Sequence, residues 1–182
     1  MIIAKNNAIS NDNVILFQYR EEKSNNMVNY HFHRYYEMYC LIRGKRTLFV
    51  DNQIITLTPG SIAIISPTTL HKYTNTDSSE EYSSLLIYFN MNAFFPSMLK
   101  DGKLNSVLQQ KYYIADLPYN IFDEIINTIC GELERSQPAM ELNLHASFFK
   151  LFSEILRHNC SPDVSAQNAL NANDLVKLIT IY

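Results

Sequence analysis

The chain has 182 residues, 47% of them hydrophobic and 18% charged, which is enough apolar material for one core plus a small appendage and too much for a wholly disordered chain. Lys and Arg number 15 against 18 Asp and Glu, a formal charge of -3, so this chain alone lacks the basic excess that tight binding to a nucleic-acid backbone requires. Cys40, Cys130 and Cys160 are odd in number and scattered, which argues against a disulfide framework or a thiolate zinc site and fits a reducing, cytoplasmic setting.

Residues 1 to 13 are polar, lack the apolar region of a signal peptide, and read as an N-terminal arm. Short segments rich in Val, Ile, Leu, Phe, Tyr and Thr follow at residues 14 to 20, 38 to 43, 46 to 50, 53 to 57, 62 to 66 and 84 to 89, the signature of strands. Asp51-Asn52 suits a two-residue hairpin, because both residues tolerate positive φ. Pro59-Gly60 suits the centre of a type II turn. The spacing of the strands predicts an antiparallel sandwich or barrel over residues 14 to 117. No apolar run approaches the roughly 20 residues of a membrane span.

From about residue 118 the period changes. Ile121, Ile125, Ile129 and Leu133, with Phe122, Ile126 and Cys130 beside them, make one apolar helical face. A second helix starts near Pro138 and carries the stripe Leu144, Phe148, Leu151, Phe152, Ile155 and Leu156. Residues 118 to 158 are therefore expected to form an antiparallel helix pair on the sheet, with apolar face to spare for a partner chain. Residues 159 to 172 read as a linker. Leu175, Leu178, Ile179 and Tyr182 then line one helical face behind an Asn173 cap. A chain that stops inside such a stripe is expected to be a truncation with another domain following.

Among five histidines, His31 and His33 are two apart, so on a strand they share a face. Glu37 follows, and His71 lies just past the Ile-rich strand. A continuous strand would hold Glu37 roughly 20 Å from His31, so Arg34-Tyr35-Tyr36 must turn if these groups are to meet, and His71 must arrive from a neighbouring strand. Tyr39 shares strand parity with Glu37. Tyr88 ends a later strand, and Arg20, ending the first, is placed to meet an acidic ligand. Rings with a few convergent polar groups suit sugars or small aromatic molecules. His145 and His158 are too far apart for a helical metal pair and read as ordinary helix residues.

HFHRYYEMYCLIRG, residues 31 to 44, resembles the first motif of the cupin superfamily. PTTLHKYTN, residues 67 to 75, is similar to the second, with His71 and Asn75 in place, but Thr stands where Gly usually follows the Pro and His71 comes one residue early. The run from HFHRYYE through TLFVDNQIITLTPGSIAIISP to LLIYFN resembles the N-terminal effector-sensing domain of AraC-type transcription regulators. The resemblance covers about residues 14 to 160.

It implies a mainly β fold: a cupin-like barrel of the double-stranded β-helix or jelly-roll type, followed by the helix pair. It also implies a small-molecule effector, such as a sugar, bound by His31, His33, Glu37, Tyr39, His71, Arg20 and Tyr88. The chain would form a homodimer through its C-terminal helices and contact DNA only through a missing C-terminal helix-turn-helix domain, whose first helix would open within residues 159 to 182. No membrane contact and no catalysis are expected. Cupin enzymes hold one divalent metal on the residues matching His31, His33, Glu37 and His71; here no cofactor is expected to be required for folding, and a divalent metal remains an option. The alternative is a stand-alone metal-dependent cupin enzyme of isomerase or dioxygenase type.

Overall fold

The computed structural model describes residues 15–23, 27, 29–75, 81–135 and 138–158. The expected N-terminal arm, the linker and the final apolar stripe lie outside the described residues. Strands β1 (Ile15–Lys23), β2 (Tyr36–Arg43), β3 (Arg46–Val50), β4 (Gln53–Leu57), β5 (Ser61–Ile65), β6 (His71–Asn75) and β7 (Glu81–Phe89) come first. Two short 3-10 turns, Met91–Ala93 and Met98–Lys100, lead to α1 (Gly102–Leu108), β8 (Tyr112–Asp116), α2 (Tyr119–Arg135) and α3 (Met140–His158).

The strands form a five-stranded sheet in the order β1-β7-β2-β5-β8 and a three-stranded sheet in the order β4-β3-β6. Every pairing between these strands is antiparallel. Two turns work as their residues require. Asp51 and Asn52, at φ 46° and 63°, close the β3–β4 hairpin between paired Val50 and Gln53. Gly60, at φ 96°, completes a turn in which the Ser61 amide donates to the Thr58 carbonyl at 2.9 Å.

The middle of the larger sheet, β7, β2 and β5, is buried on both faces, which explains why these strands read as nearly continuous apolar runs rather than alternating ones. Tyr39, Leu41, Ala63, Ile65 and Leu86 face the smaller sheet and meet Leu48, Val50, Leu57 and Tyr73 inside the barrel. Met38, Cys40, Ile62, Ile64, Leu85, Ile87 and Phe89 face the other way, onto the helices. There α2 buries Phe122, Ile125, Ile126 and Ile129, and α3 buries Leu144, Phe148, Leu151, Phe152 and Ile155, the stripes expected from their spacing. Phe89 sits within 5.5 Å, centroid to centroid, of both Phe148 and Phe152, so strand and helix share one aromatic knot.

Three details differ from the sequence expectation. Strands β6 and β8 go beyond the segments that the sequence predicts. Sequence HKYTN looks too polar for a strand, yet it pairs with β3 along its whole length. Helix α3 begins at Met140, after Ala139 at φ 65°, so Pro138 lies in the turn ahead rather than in the first helical turn. Among the described residues, no helix is long and apolar enough to cross a membrane.

Candidate functional site

The backbone first brings the histidines together. His31 and His71 form an antiparallel bridge in which each amide donates to the other's carbonyl at 3.0 Å. Their rings follow, with centroids 4.2 Å apart. His33 keeps strand parity with His31 and its ring centroid lies 5.1 Å from that of His71. The chain then bends at Arg34-Tyr35, the turn the spacing required, and β2 delivers Glu37 back to the same place. One donor atom from each of His31, His33, Glu37 and His71 lies within 4.8 Å of the others.

Two imidazoles have fixed proton positions. His33 Nδ1 is 2.7 Å from the Tyr35 carbonyl, and His71 Nδ1 is 2.9 Å from the Thr69 carbonyl. A carbonyl only accepts, so both Nδ1 atoms carry hydrogen. In the neutral rings the Nε2 lone pairs therefore point inward, at a carboxylate that is itself an acceptor. The separations are 3.4 Å from His33 Nε2 to Glu37 Oε2 and 3.8 Å from His71 Nε2 to Glu37 Oε1. His33 Nε2, Glu37 Oε1 and His71 Nε2 are buried with no hydrogen-bond partner. Lone pairs collected this way call for a proton or a cation between them.

The electrostatics agree. Burial pushes the Glu37 carboxyl up, but the adjoining His33 and His71 imidazoles outweigh it and hold the group below its ordinary value. Burial lowers His71, against the pull of Glu37. Burial and then the neighbouring His71 lower His31. Tyr73 and Tyr88 are both raised, first by burial and then by the Glu37 carboxylate.

The remaining anticipated residues fall around this centre. Tyr88 stands edge-on to His33 at 6.1 Å and to Tyr35 at 5.0 Å, and Tyr35 stacks on His33 at 4.2 Å. Tyr39 is not beside the imidazoles: it stacks on Tyr73 at 4.2 Å, one layer deeper. Tyr73 in turn stands edge-on to His71 at 5.8 Å, so these two rings pack beneath the cluster. The Tyr39, Tyr73 and Ser84 hydroxyls are buried there, with Tyr39 directed at Ser84 and Tyr73 at Glu37 but neither in full hydrogen-bond geometry. Arg20 pairs with Ser84 in the β1–β7 register, so it faces the barrel interior, where it donates to Gln18 Oε1 at 2.8 Å. His145 is exposed, and His158 Nε2 lies 3.6 Å from Glu154 within α3.

Tyr35, which the sequence places beside the histidine pair, is not among the anticipated site residues, and neither are Tyr73 and Arg46. Parity from His71 places Tyr73 on the same face, so that signal was present. Arg46 gave none: it is 1% exposed, its guanidinium lies 3.9 Å from the Tyr82 ring centroid, and it donates to Asn75. A second concavity lies outside the cluster, a groove of about 1020 Å³ between the β3–β4 hairpin, residues 66–70 and the end of α1.

The sequence model of the AraC-like ligand binding domain matches residues 14–152. This chain belongs to that family. Solved structures of ToxT from Vibrio cholerae share the fold of this AraC-like domain. An apo ToxT variant aligns with a TM-score of 0.62 at 14% identity, over 81% of this chain and 58% of that one. ToxT bound to a methylnaphthalenyl butenoic acid gives 0.53 at 15%, over 82% and 59%. ToxT bound to an unsaturated fatty acid gives 0.52 at 14%, over 84% and 58%. The AraC-like domain thus spans under two thirds of the length of these ToxT chains. No curated protein matches the chain.

Three imidazoles and a carboxylate suit a divalent transition metal. Bonds of about 2.1 Å put ligand atoms up to roughly 4 Å apart, so a small contraction of the present cluster fits one ion. The buried, unpartnered Nε2 atoms and the carbonyl-anchored Nδ1 atoms are the orientation such a site needs.

Proposed function

We propose that the chain is the effector-sensing part of an AraC-type transcription regulator that acts in the cytoplasm. A small molecule would bind at the His31, His33, Glu37 and His71 layer, under Tyr35 and Tyr88. The observation that carries this reading is the convergence of His33 Nε2, Glu37 Oε1 and His71 Nε2, buried with no protein partner, inside the barrel of an AraC-like ligand binding domain. A ligand that supplies those partners gains more than it would on an open surface.

Arg20 on the interior face of β1 favours an effector with an acidic group, and the tyrosine hydroxyls favour one that also carries hydroxyls. A hydroxylated acid of sugar-acid size meets both demands. The acids bound in the ToxT structures are in line with the first. The domain would dimerise through α2 and α3 and reach DNA through a further domain. An effector that prefers one arrangement of the domains shifts that equilibrium by its differential affinity.

A divalent cation, when bound by His31, His33, Glu37 and His71, would supply Lewis-acidic charge. In its absence the same residues bind and orient the effector, with Glu37 accepting from hydroxyls and the imidazoles held in place by Tyr35 and Thr69. The donor set is also the one observation that favours a metal-dependent cupin enzyme as the second reading.

The test is a thermal-shift screen of the chain with sugars, sugar acids, fatty acids and divalent cations, since a ligand of the native state raises the melting temperature. A selective response to an organic acid, lost in Arg20→Met, supports the sensor. A response to metals alone, with turnover of a sugar phosphate or diol, sinks it in favour of the enzyme.

A further inference from the structure

We propose that Thr68 is a positioning residue for the imidazole cluster, acting through a left-handed backbone that fixes residues 66–70. Thr68 has φ 63°, a conformation that a β-branched residue rarely takes and that persists only where the surroundings enforce it. It occupies the place where the sequence carries Thr instead of the usual Gly after Pro67. The surroundings that enforce it are visible. The Thr68 amide donates to the His33 carbonyl at 2.7 Å, and the Thr69 amide donates to the Ser66 carbonyl at 3.2 Å. The Thr69 hydroxyl donates to the Lys111 carbonyl at 3.1 Å, and the Ser66 amide to the same carbonyl at 2.9 Å.

The consequence falls on two rings at once. Thr68 holds the backbone of His33 through its N–H, and the next carbonyl, that of Thr69, holds His71 Nδ1 at 2.9 Å. Rotating the Thr68 backbone to negative φ turns both groups away. His71 then loses the acceptor that keeps hydrogen on Nδ1, and its Nε2 lone pair no longer has to face Glu37. Residues Pro67, Thr68, Thr69 and Leu70 also form one wall of the outer groove, so this wall stands between that groove and the cluster.

The inference rests on the cluster being the functional site, but its test reads the rings directly. Long-range proton–nitrogen spectra of the full chain, metal-free and near pH 8, report which nitrogen of each histidine bears hydrogen. The parent and Thr68→Gly, which keeps both the positive φ and the N–H, show His33 and His71 with hydrogen on Nδ1. Thr68→Gly also melts higher, as relief of strain requires. Thr68→Pro, which removes the N–H and forces negative φ, shows a mixture at His71. Thr69→Val keeps the fold while cutting the tie to Lys111, and gives His71 a measurable Nε2–H population.

Cobalt(II) serves as a second probe. Where the parent binds it, Thr68→Gly stays within about threefold and Thr68→Pro weakens binding by about 10- to 100-fold. The proposal is overturned if the parent lacks the Nδ1–H form at His71, if Thr69→Val and Thr68→Pro both keep the parent spectra, or if Thr68→Gly melts lower. Absence of any effector or metal response would sink the functional reading and leave these spectra to decide the role of Thr68.

Discussion

Glu37 Oε1 faces His71 Nε2 across 3.8 Å, although the other nitrogen of that ring already donates to Thr69. With hydrogen held on Nδ1, the neutral His71 ring offers the carboxylate no donor, so the two acceptors face each other unpaired in the metal-free state. Glu37→Gln offers an amide N–H to His71 instead, so the metal-free variant should match the parent's unfolding free energy at pH 8 to within about 1 kcal/mol. Urea denaturation measures this. A loss of about 3 to 5 kcal/mol would show that an imidazolium–carboxylate pair holds the site.

Acid should destabilise the fold through the same groups. His71 and His31 have folded values below 6.5, so the unfolded chain binds more protons as pH falls through that value. Their contribution is complete above about pH 6.5 and fades as pH drops toward the folded values. Glu37 also sits below its ordinary 4.5, so its share is present above that value and is lost as pH falls through the lower folded one. Both signs agree, and the melting temperature should fall monotonically from neutrality into acid. A rise anywhere on that path contradicts the arrangement.

His71→Ala and His145→Ala separate the site from ordinary helix residues. His71 is fully buried and ties two segments, so its truncation should cost about 2 to 4 kcal/mol and abolish ligand response. His145 is exposed, and its truncation should stay within about 0.5 kcal/mol. Equal effects from the two variants would remove the case for a special centre.

The sequence disclosed the cluster better than it disclosed the strands around it. His31 and His33 share a face because strand residues alternate, and the bend at Arg34-Tyr35 could be demanded from distance alone. Strand β6 could not be read so directly, since Lys72, Thr74 and Asn75 make it polar while its stability comes from pairing with β3. Tyr39 had the right parity but the wrong depth, because parity fixes a face and not a height along the barrel. The helices were legible from their stripes, since both bury one continuous face against a single sheet.

Phe148→Ala should cost about 3 to 5 kcal/mol, because the ring is fully buried among Phe89, Phe94 and Phe152. Chemical denaturation of the variant checks this. A cost under about 1 kcal/mol would mean that the helices rest only loosely on the barrel.

The strand β7 ends with Tyr88 turned toward the imidazoles and Phe89 turned toward α3. Adjacent residues of one extended backbone thus touch both compartments of the molecule. A ligand seated against Tyr88 would therefore lie one residue along the backbone from the ring that anchors α3.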